Sequence, residues 1–336
     1  MIRDPHAVGR RPVRVSPLGF GGAPIGNLYA PVSEEDAQSA LHEALERGIR
    51  YFDTAPFYGH GLSERRMGRA LAGRARASFA VSTKVGRLIS DDHSRREMPD
   101  GFAVEGTRAT FDYSRDGVRR SFAASLERLR IDRVDILYLH DIGRQTHGER
   151  HPEVLRMALD EALPSMASLR DSGAVGAIGI GVNEEDVCLE VLPRFDLDCI
   201  MLAGRYTLLE QDRSHELLRE ALARGVRVLV AGPYNSGLLA SPSGPGDTYN
   251  YAPVDAVTRK RARRIYEECA AERVDVGAAA LQFPLAHPAV AGVVAGLRSA
   301  AEVMSAVERM ETPVPPALWK RLRSADLIGE HAVLPT

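Results

Sequence analysis

The sequence predicts a (β/α)8 barrel, an α/β fold, and three observations carry the prediction. Short β-rich runs alternate with longer amphipathic runs along the whole chain. The β-rich runs are nearly continuous apolar stretches, as parallel strands covered by helices require. Eight strand-helix pairs fit within 336 residues, a length such barrels take. A doubly wound open sheet shares the alternation, but its G-x-G-x-x-G fingerprint belongs after the first strand. The best match starts at Gly19-Phe20-Gly21 and fails at Pro24.

The strand runs follow in order. The glycine-rich LGFGGAPIG (18–26) comes first, then RYFDTA (50–55), FAVSTKV (79–85) and VDILYLH (134–140). AIGIGVN (177–183), LDCIMLAG (197–204), RVLVAGP (227–233) and AVAGVVAG (289–296) complete the set. Between them lie helix patterns. Residues 33–48 open on Ser33 as N-cap, with Asp36 three positions on, and close on Gly48. SERRMGRAL follows Tyr58, and 114–129 aligns Val118, Phe122, Leu126 and Leu129 on one face. Further helices are expected over 152–173, 183–192, 212–225, 255–272 and 299–310, and a C-terminal helix around PALWKRLRSADLI. The whole chain, 1–336, reads as one barrel. Two βα loops are long and polar, 86–114 and 234–254, and both are expected on the substrate face.

Composition narrows the function. With 43 basic and 45 acidic residues the net charge is −2, so nothing calls for nucleic acid. No apolar run is long enough to cross a membrane, and the first residues lack the apolar core of a secretory signal. Cys188, Cys199 and Cys269 are odd in number and widely spaced, which predicts reduced, packed thiols in a cytoplasmic protein. The HGERH stretch (147–151) has the wrong order for a zinc helix and is expected as a surface loop. The basic run 259–264 is expected as a solvated helix face.

The strand ends carry the chemistry. Asp53 ends the second strand, Lys84 the third, His140 and Asp141 the fourth, and Asn183 the fifth. All lie at C-terminal ends, where barrel chemistry occurs. Tyr58 follows Asp53 inside a Pro56/Gly59 turn. A free phenol titrates at about pH 10, and a nearby ammonium would lower that value. Asp53 would hold Lys84, Lys84 would tune Tyr58, and His140 would contact the same substrate oxygen. Such a set moves a proton to or from a carbonyl or alcohol oxygen. It holds no nucleophile, so it calls for a hydride partner, and a nicotinamide cofactor supplies one.

Asp53-Thr54-Ala55 with Tyr58-Gly59, Lys84 in STKVG and His140 in LYLHD resemble the catalytic tetrad of the aldo-keto reductase family. The resemblance spans essentially the whole chain. It implies a barrel that binds NAD or NADP without a Rossmann domain, with Tyr58 as proton carrier and Asn183 on the nicotinamide carboxamide. GFGGAPIGNLY, DTAPFYGHGLSERRMGRAL and AGRYTLLEQ are similar to the branch containing D-threo-aldose 1-dehydrogenase, L-fucose dehydrogenase and pyridoxal 4-dehydrogenase. That branch implies oxidation of a cyclic hemiacetal to a lactone. The alternatives are pyridoxal oxidation and general NADPH-dependent reduction of aldehydes or ketones. The implied substrate contacts are Tyr58, His140 and Asp141. Gly232, Ser236, Leu238 and Leu239 fall where the cofactor pyrophosphate runs, and Gly296, Arg298 and Ser299 where the adenosine end lies. The aromatic residue that stacks on the nicotinamide in much of the family aligns with Gly232 or Pro233. A further arginine of strict NADPH users aligns with Met304, which leans the cofactor to NAD.

Overall fold

The structure is a computed structural model that describes residues 5–9, 13–94, 101–241, 243–250 and 252–336. Eight parallel strands close into a barrel: β1 Leu18–Gly21, β2 Tyr51–Asp53, β3 Ala80–Val85, β4 Val134–His140, β5 Val175–Val182, β6 Cys199–Ala203, β7 Arg227–Ala231 and β8 Val290–Gly296. Neighbours in sequence are neighbours in the barrel, and β8 pairs with β1 through Gly296 and Gly21. Each expected strand is present: β1 stops at Gly21, well short of the expected residue 26, β5 starts earlier than expected, at Val175, and the remaining ends lie within a residue or two of expectation.

Helices cover the outside because their apolar stripes match the apolar outer faces of the strands. Ser33 caps Glu34–Glu46 by accepting the Asp36 amide, as its spacing predicts. Ser114 caps Arg115–Leu129 through the Gly117 amide. The expected helix at 152–173 is not continuous. It runs His151–Met157, widens into a π-helical stretch at Ala158–Ala162, and resumes as Leu163–Ser172. Pro164 has no amide hydrogen for the helical ladder, and the widened turn sits just ahead of it.

The barrel interior is a packed core of its own, with Tyr51, Ile136, Tyr138, Met201 and Leu229 among its members. Its floor includes Val8 and Val15, from an antiparallel hairpin His6–Val8/Val13–Val15 that the alternation does not reveal. Burying each of these valines stabilises the fold by about 1.5–3 kcal/mol. The long loop after β3 also has regular structure: Arg87–Asp91 pairs antiparallel with Thr107–Phe111. This hairpin is stitched to the loop after β1 by a bridge between Leu28 and Phe102 and by the Tyr29 amide on the Gly101 carbonyl. The loop after β7 contains a small hairpin, Thr248–Tyr249 with Ala252–Pro253.

The three cysteines are buried and unpaired. The 147–151 stretch is helical rather than a plain surface loop, and His151 is buried with its ring on the Ile142 carbonyl and the Glu190 carboxylate. The basic run lies on Ala256–Ala271, where Arg261 and Arg264 donate to carbonyls of Leu209, Ala325, Asp326 and Leu327. That face is therefore partly a seat for the C-terminal segment. No helix among the described residues is long and apolar enough to cross a membrane.

Candidate active site

A cavity of about 470 Å³ opens at the C-terminal ends of the strands. Tyr58, Lys84, His140, Asp141 and Asn183 all line it, so these predicted site residues converge. Asp53 lies beneath them, bonded to Lys84.

Lys84 is buried and its ammonium is fully engaged. It donates to both Asp53 carboxylate oxygens, at 2.9 and 2.7 Å, and to the Thr54 carbonyl at 2.9 Å. A buried carboxylate needs that many partners. Asp53 also accepts from Ser82 Oγ at 2.7 Å, and Ser82 meets the Tyr51 hydroxyl, which in turn meets Tyr138. This hydroxyl chain through the barrel interior was hidden from sequence reading, because Tyr51 and Ser82 look like ordinary alternating strand positions. Burial pushes the Asp53 carboxyl up from its ordinary value, while Lys84 and Ser82 pull it down.

Tyr58 is placed by a close backbone crossing. Gly59 has φ +59°, and a Cβ there would stand 2.2 Å from the Gly26 carbonyl oxygen. Only glycine fits both the left-handed backbone and the approach. Behind the crossing, Arg66 donates to the Ile25 and Val32 carbonyls and to Asn27 Oδ1, tying the loop after β1 to helix Leu62–Leu71. The Lys84 ammonium lies 4.7 Å from the Tyr58 ring centroid. The Tyr58 phenol is nevertheless raised well above its ordinary value by burial, with the Asp53 and Asp141 charges adding and Arg87 opposing. This reverses the expectation of a lowered phenol. Asp53 neutralises the ammonium that would have lowered it, so the resting phenol keeps its proton.

His140 is buried, and burial holds its imidazolium well below the ordinary histidine value; Asp141 opposes that shift and Arg87 and Lys84 reinforce it. The ring is therefore neutral near pH 7. Arg87, which sequence reasoning missed, donates to His140 Nδ1 at 2.9 Å and to Asp141 Oδ2 at 2.8 Å. Its only signal in the sequence is a charged residue three positions after Lys84. Asp141 stays ionised: burial raises its carboxyl, but His140 and Arg87 together hold it below the ordinary range.

Phe57, Phe102 and Tyr29 add aromatic walls to the cavity, and Phe102 lies 6.0 Å from the Tyr58 ring. Across from them the lining side chains are small: Gly181, Ala203 and Ala231, at the ends of β5, β6 and β7. Small side chains on adjacent strand ends leave space for a flat ring beside Asn183. The residue that ends β7 at the cavity is Ala231, so no aromatic side chain stacks from that strand end. Farther along, Asn235 is buried and its Oδ1 has no hydrogen-bond partner among the described residues. An orphaned buried acceptor of this kind awaits a donor from a ligand. This donor and acceptor set fits a nicotinamide dinucleotide.

The remaining cofactor positions lie along the rim. Gly232 (φ +63°) is exposed just past Ala231, and Ser236 meets the Tyr29 hydroxyl. Leu238 and Leu239 are fully buried. The Leu238 amide is bonded to the Asn235 carbonyl, and its own carbonyl accepts from Tyr266, so that residue is engaged inside the protein. Gly296 ends β8 at the surface. Ser299 caps helix Ala300–Glu311 by accepting the Glu302 amide. Arg298 is not a free cation. Its Nε donates to Glu302 Oε1 at 2.6 Å and its amide to Glu302 Oε2 at 2.9 Å.

Comparison with known proteins accounts for this arrangement. Residues 17–327 match the model of the Aldo/keto reductase family. The chain is 41% identical to a pyridoxal 4-dehydrogenase from Microbacterium luteolum, over 97% of this chain and 98% of that one. It is 40% identical to a D-threo-aldose 1-dehydrogenase from a Pseudomonas species, over 93% and 94%. Among solved structures it resembles an aldo-keto reductase from Bacillus halodurans in its holo form, with a TM-score of 0.74, 28% identity and coverage of 99% and 98%.

Proposed function

We infer the chemistry from the family: the chain belongs to the aldo/keto reductases and is an NAD(P)-dependent oxidoreductase. We propose that it oxidises the cyclic hemiacetal of an aldose to the lactone, with NAD+ preferred.

Bound in the cleft beside Asn183, the oxidised nicotinamide supplies the hydride acceptor for C1 of the sugar. The chain's own residues handle the proton. Tyr58, once its phenol is ionised, takes the proton of the anomeric hydroxyl. Lys84 stands 4.7 Å from its ring and steadies the phenolate, and Asp53 keeps Lys84 in place. Neutral His140 hydrogen-bonds the same substrate oxygen. Asp141 accepts from a neighbouring sugar hydroxyl, and Asn183 orients the nicotinamide through its carboxamide. Gly232, Ser236 and Gly296 lie along the rim where they would hold the dinucleotide, and Ser299 would meet its adenosine end.

The observation that carries this reading is the composition of the cavity. An anionic acceptor, Asp141, stands beside the proton-transfer pair, and aromatic walls at Phe57 and Phe102 face it. Sugars are recognised by that combination: hydroxyls on a carboxylate and C–H faces on rings. The likeness to D-threo-aldose 1-dehydrogenase supports it. The preference for NAD is supported by Glu302, which occupies the cation Arg298 and adds a negative charge where a 2'-phosphate would sit.

A second reading is pyridoxal oxidation, favoured by the flat aromatic cleft and by the likeness to pyridoxal 4-dehydrogenase. Pyridoxal also closes to a cyclic hemiacetal, so the same residues serve. Incubation with C1-deuterated L-fucose and NAD+ tests the sugar reading. Deuterium in the reduced nicotinamide together with the lactone by mass supports it, and turnover of pyridoxal alone moves the function to the second reading.

A further inference from the structure

Arg87 lies outside the tetrad and behind the cavity lining, yet its side chain is tightly constrained. It is buried, its guanidinium carbon stands 4.0 Å from the Phe57 ring centroid and 4.6 Å from that of Phe111, and its carbonyl accepts from Ser121 Oγ at 2.9 Å. The two rings hold the guanidinium plane. Its fork then reaches two consecutive residues at the end of β4, His140 Nδ1 and Asp141 Oδ2. A guanidinium has hydrogens to give and no lone pair to offer, so Nδ1 must accept. In a neutral imidazole the ring proton is then on Nε2. The other tautomer would turn a lone pair toward the substrate oxygen and lose the hydrogen bond.

Asp141 presents a second hazard that the same fork removes. Its Oδ2 stands 3.5 Å from His140 Nε2 and is a rival acceptor for that proton. Arg87 holds the oxygen at 2.8 Å, closer than the imidazole does. The backbone at Asp141 is left-handed (φ +51°), and the His147 ring and the Tyr113 hydroxyl both meet the Asp141 carbonyl, so the residue cannot swing freely.

We propose that Arg87 is a positioning residue: its fork fixes His140 as the Nε2–H tautomer and restrains Asp141, so that the His140 proton is directed at the substrate oxygen. A lysine cannot replace it, because one ammonium cannot address both acceptors in a fixed plane. Only the importance of His140 in turnover rests on the proposed function; the tautomer does not.

The test is nitrogen NMR of the full chain labelled with 15N-histidine, with His140 assigned by the signal lost in His140→Gln. The wild-type spectrum should show Nδ1 unprotonated and Nε2 protonated. In Arg87→Met that pattern should be lost, with kcat reduced by about 100-fold, the lower end for a misdirected proton-transfer group, and KM changed less. Arg87→Lys should fall between, and added guanidinium should restore part of the activity of Arg87→Ala. A wild-type signal with Nδ1 protonated overturns the proposal, and this needs neither a variant nor a substrate. So does a folded Arg87→Met or Arg87→Lys protein with an unchanged tautomer and unchanged kcat. If no aldose is turned over, kcat is read with pyridoxal or a simple aldehyde, and the tautomer result stands independently.

Discussion

The Lys84 ammonium lies 4.7 Å from the Tyr58 ring centroid while its hydrogens are committed to Asp53 and Thr54. The lysine itself is locked, and Asp53 offsets its charge at the resting phenol. The arrangement makes Lys84 a fixed electrostatic feature rather than a mobile proton carrier.

Removing the cation strands a buried charge. Lys84→Met leaves Asp53 in the barrel core with Ser82 as its remaining side-chain donor among the described residues. Loss of stability of about 3–5 kcal/mol follows, as for a buried pair broken on one side. The double variant Lys84→Met/Asp53→Asn should recover much of that loss without recovering turnover. Urea denaturation of the three proteins measures the first effect and steady-state kinetics the second.

The pH dependence follows from the two shifted groups. Burial raises the Tyr58 phenol well above its ordinary value, so the ionised fraction needed for oxidation grows as pH rises. Oxidation should therefore accelerate through the mildly alkaline range. Reduction needs the protonated phenol, which burial preserves, so its rate should stay level from neutral into the mildly alkaline range. Burial lowers His140, so its imidazole stays neutral until pH falls well below the ordinary histidine value, and no loss of activity near pH 6 should come from it. Tyr58→Phe should lower kcat by about 10²–10⁴ and abolish the alkaline rise, with nucleotide binding retained by fluorescence titration.

The proposed preference for NAD rests on Glu302. Its carboxylate holds Arg298 through both the side chain and the amide. Glu302→Gln frees the cation and removes a like charge from the phosphate position. The ratio of kcat/KM for NADP+ over NAD+ should rise about fivefold, the equivalent of about 1 kcal/mol at a helix N-terminus. An unchanged ratio would remove Glu302 from the account of selectivity.

Gly59→Ala tests the crossing that positions Tyr58. The added methyl would stand 2.2 Å from the Gly26 carbonyl oxygen on a left-handed backbone. Destabilisation of about 1–3 kcal/mol is expected, with kcat reduced because the adjacent tyrosine shifts. Thermal unfolding and kinetics on the same preparation measure both.

The barrel was legible because parallel strands and covering helices each impose a period, and because polar residues at strand ends stand out against apolar runs. Asp53, Lys84, His140 and Asn183 were visible for that reason. Arg87 was not, since its importance comes from the aromatic clamp formed by Phe57, 30 residues before it, and Phe111, 24 residues after it. The Arg298–Glu302 pair was written at helical spacing, yet its grip was not legible because the reach of Glu302 back to the Arg298 amide is a property of the folded cap. The floor hairpin was hidden by its three-residue strands. The direction of the Tyr58 shift was misjudged because proximity of an ammonium was weighed without the burial and the carboxylate that offset it.

The most direct test of the central claim is formation of reduced nicotinamide, followed by absorbance, with L-fucose, L-galactose, D-arabinose, D-glucose and pyridoxal, each with NAD+ and with NADP+ at mildly alkaline pH. The account predicts that an aldose is turned over with NAD+ by the wild type and not by Tyr58→Phe. Absence of any aldose turnover, with NADPH consumed instead by simple aldehydes, would contradict it.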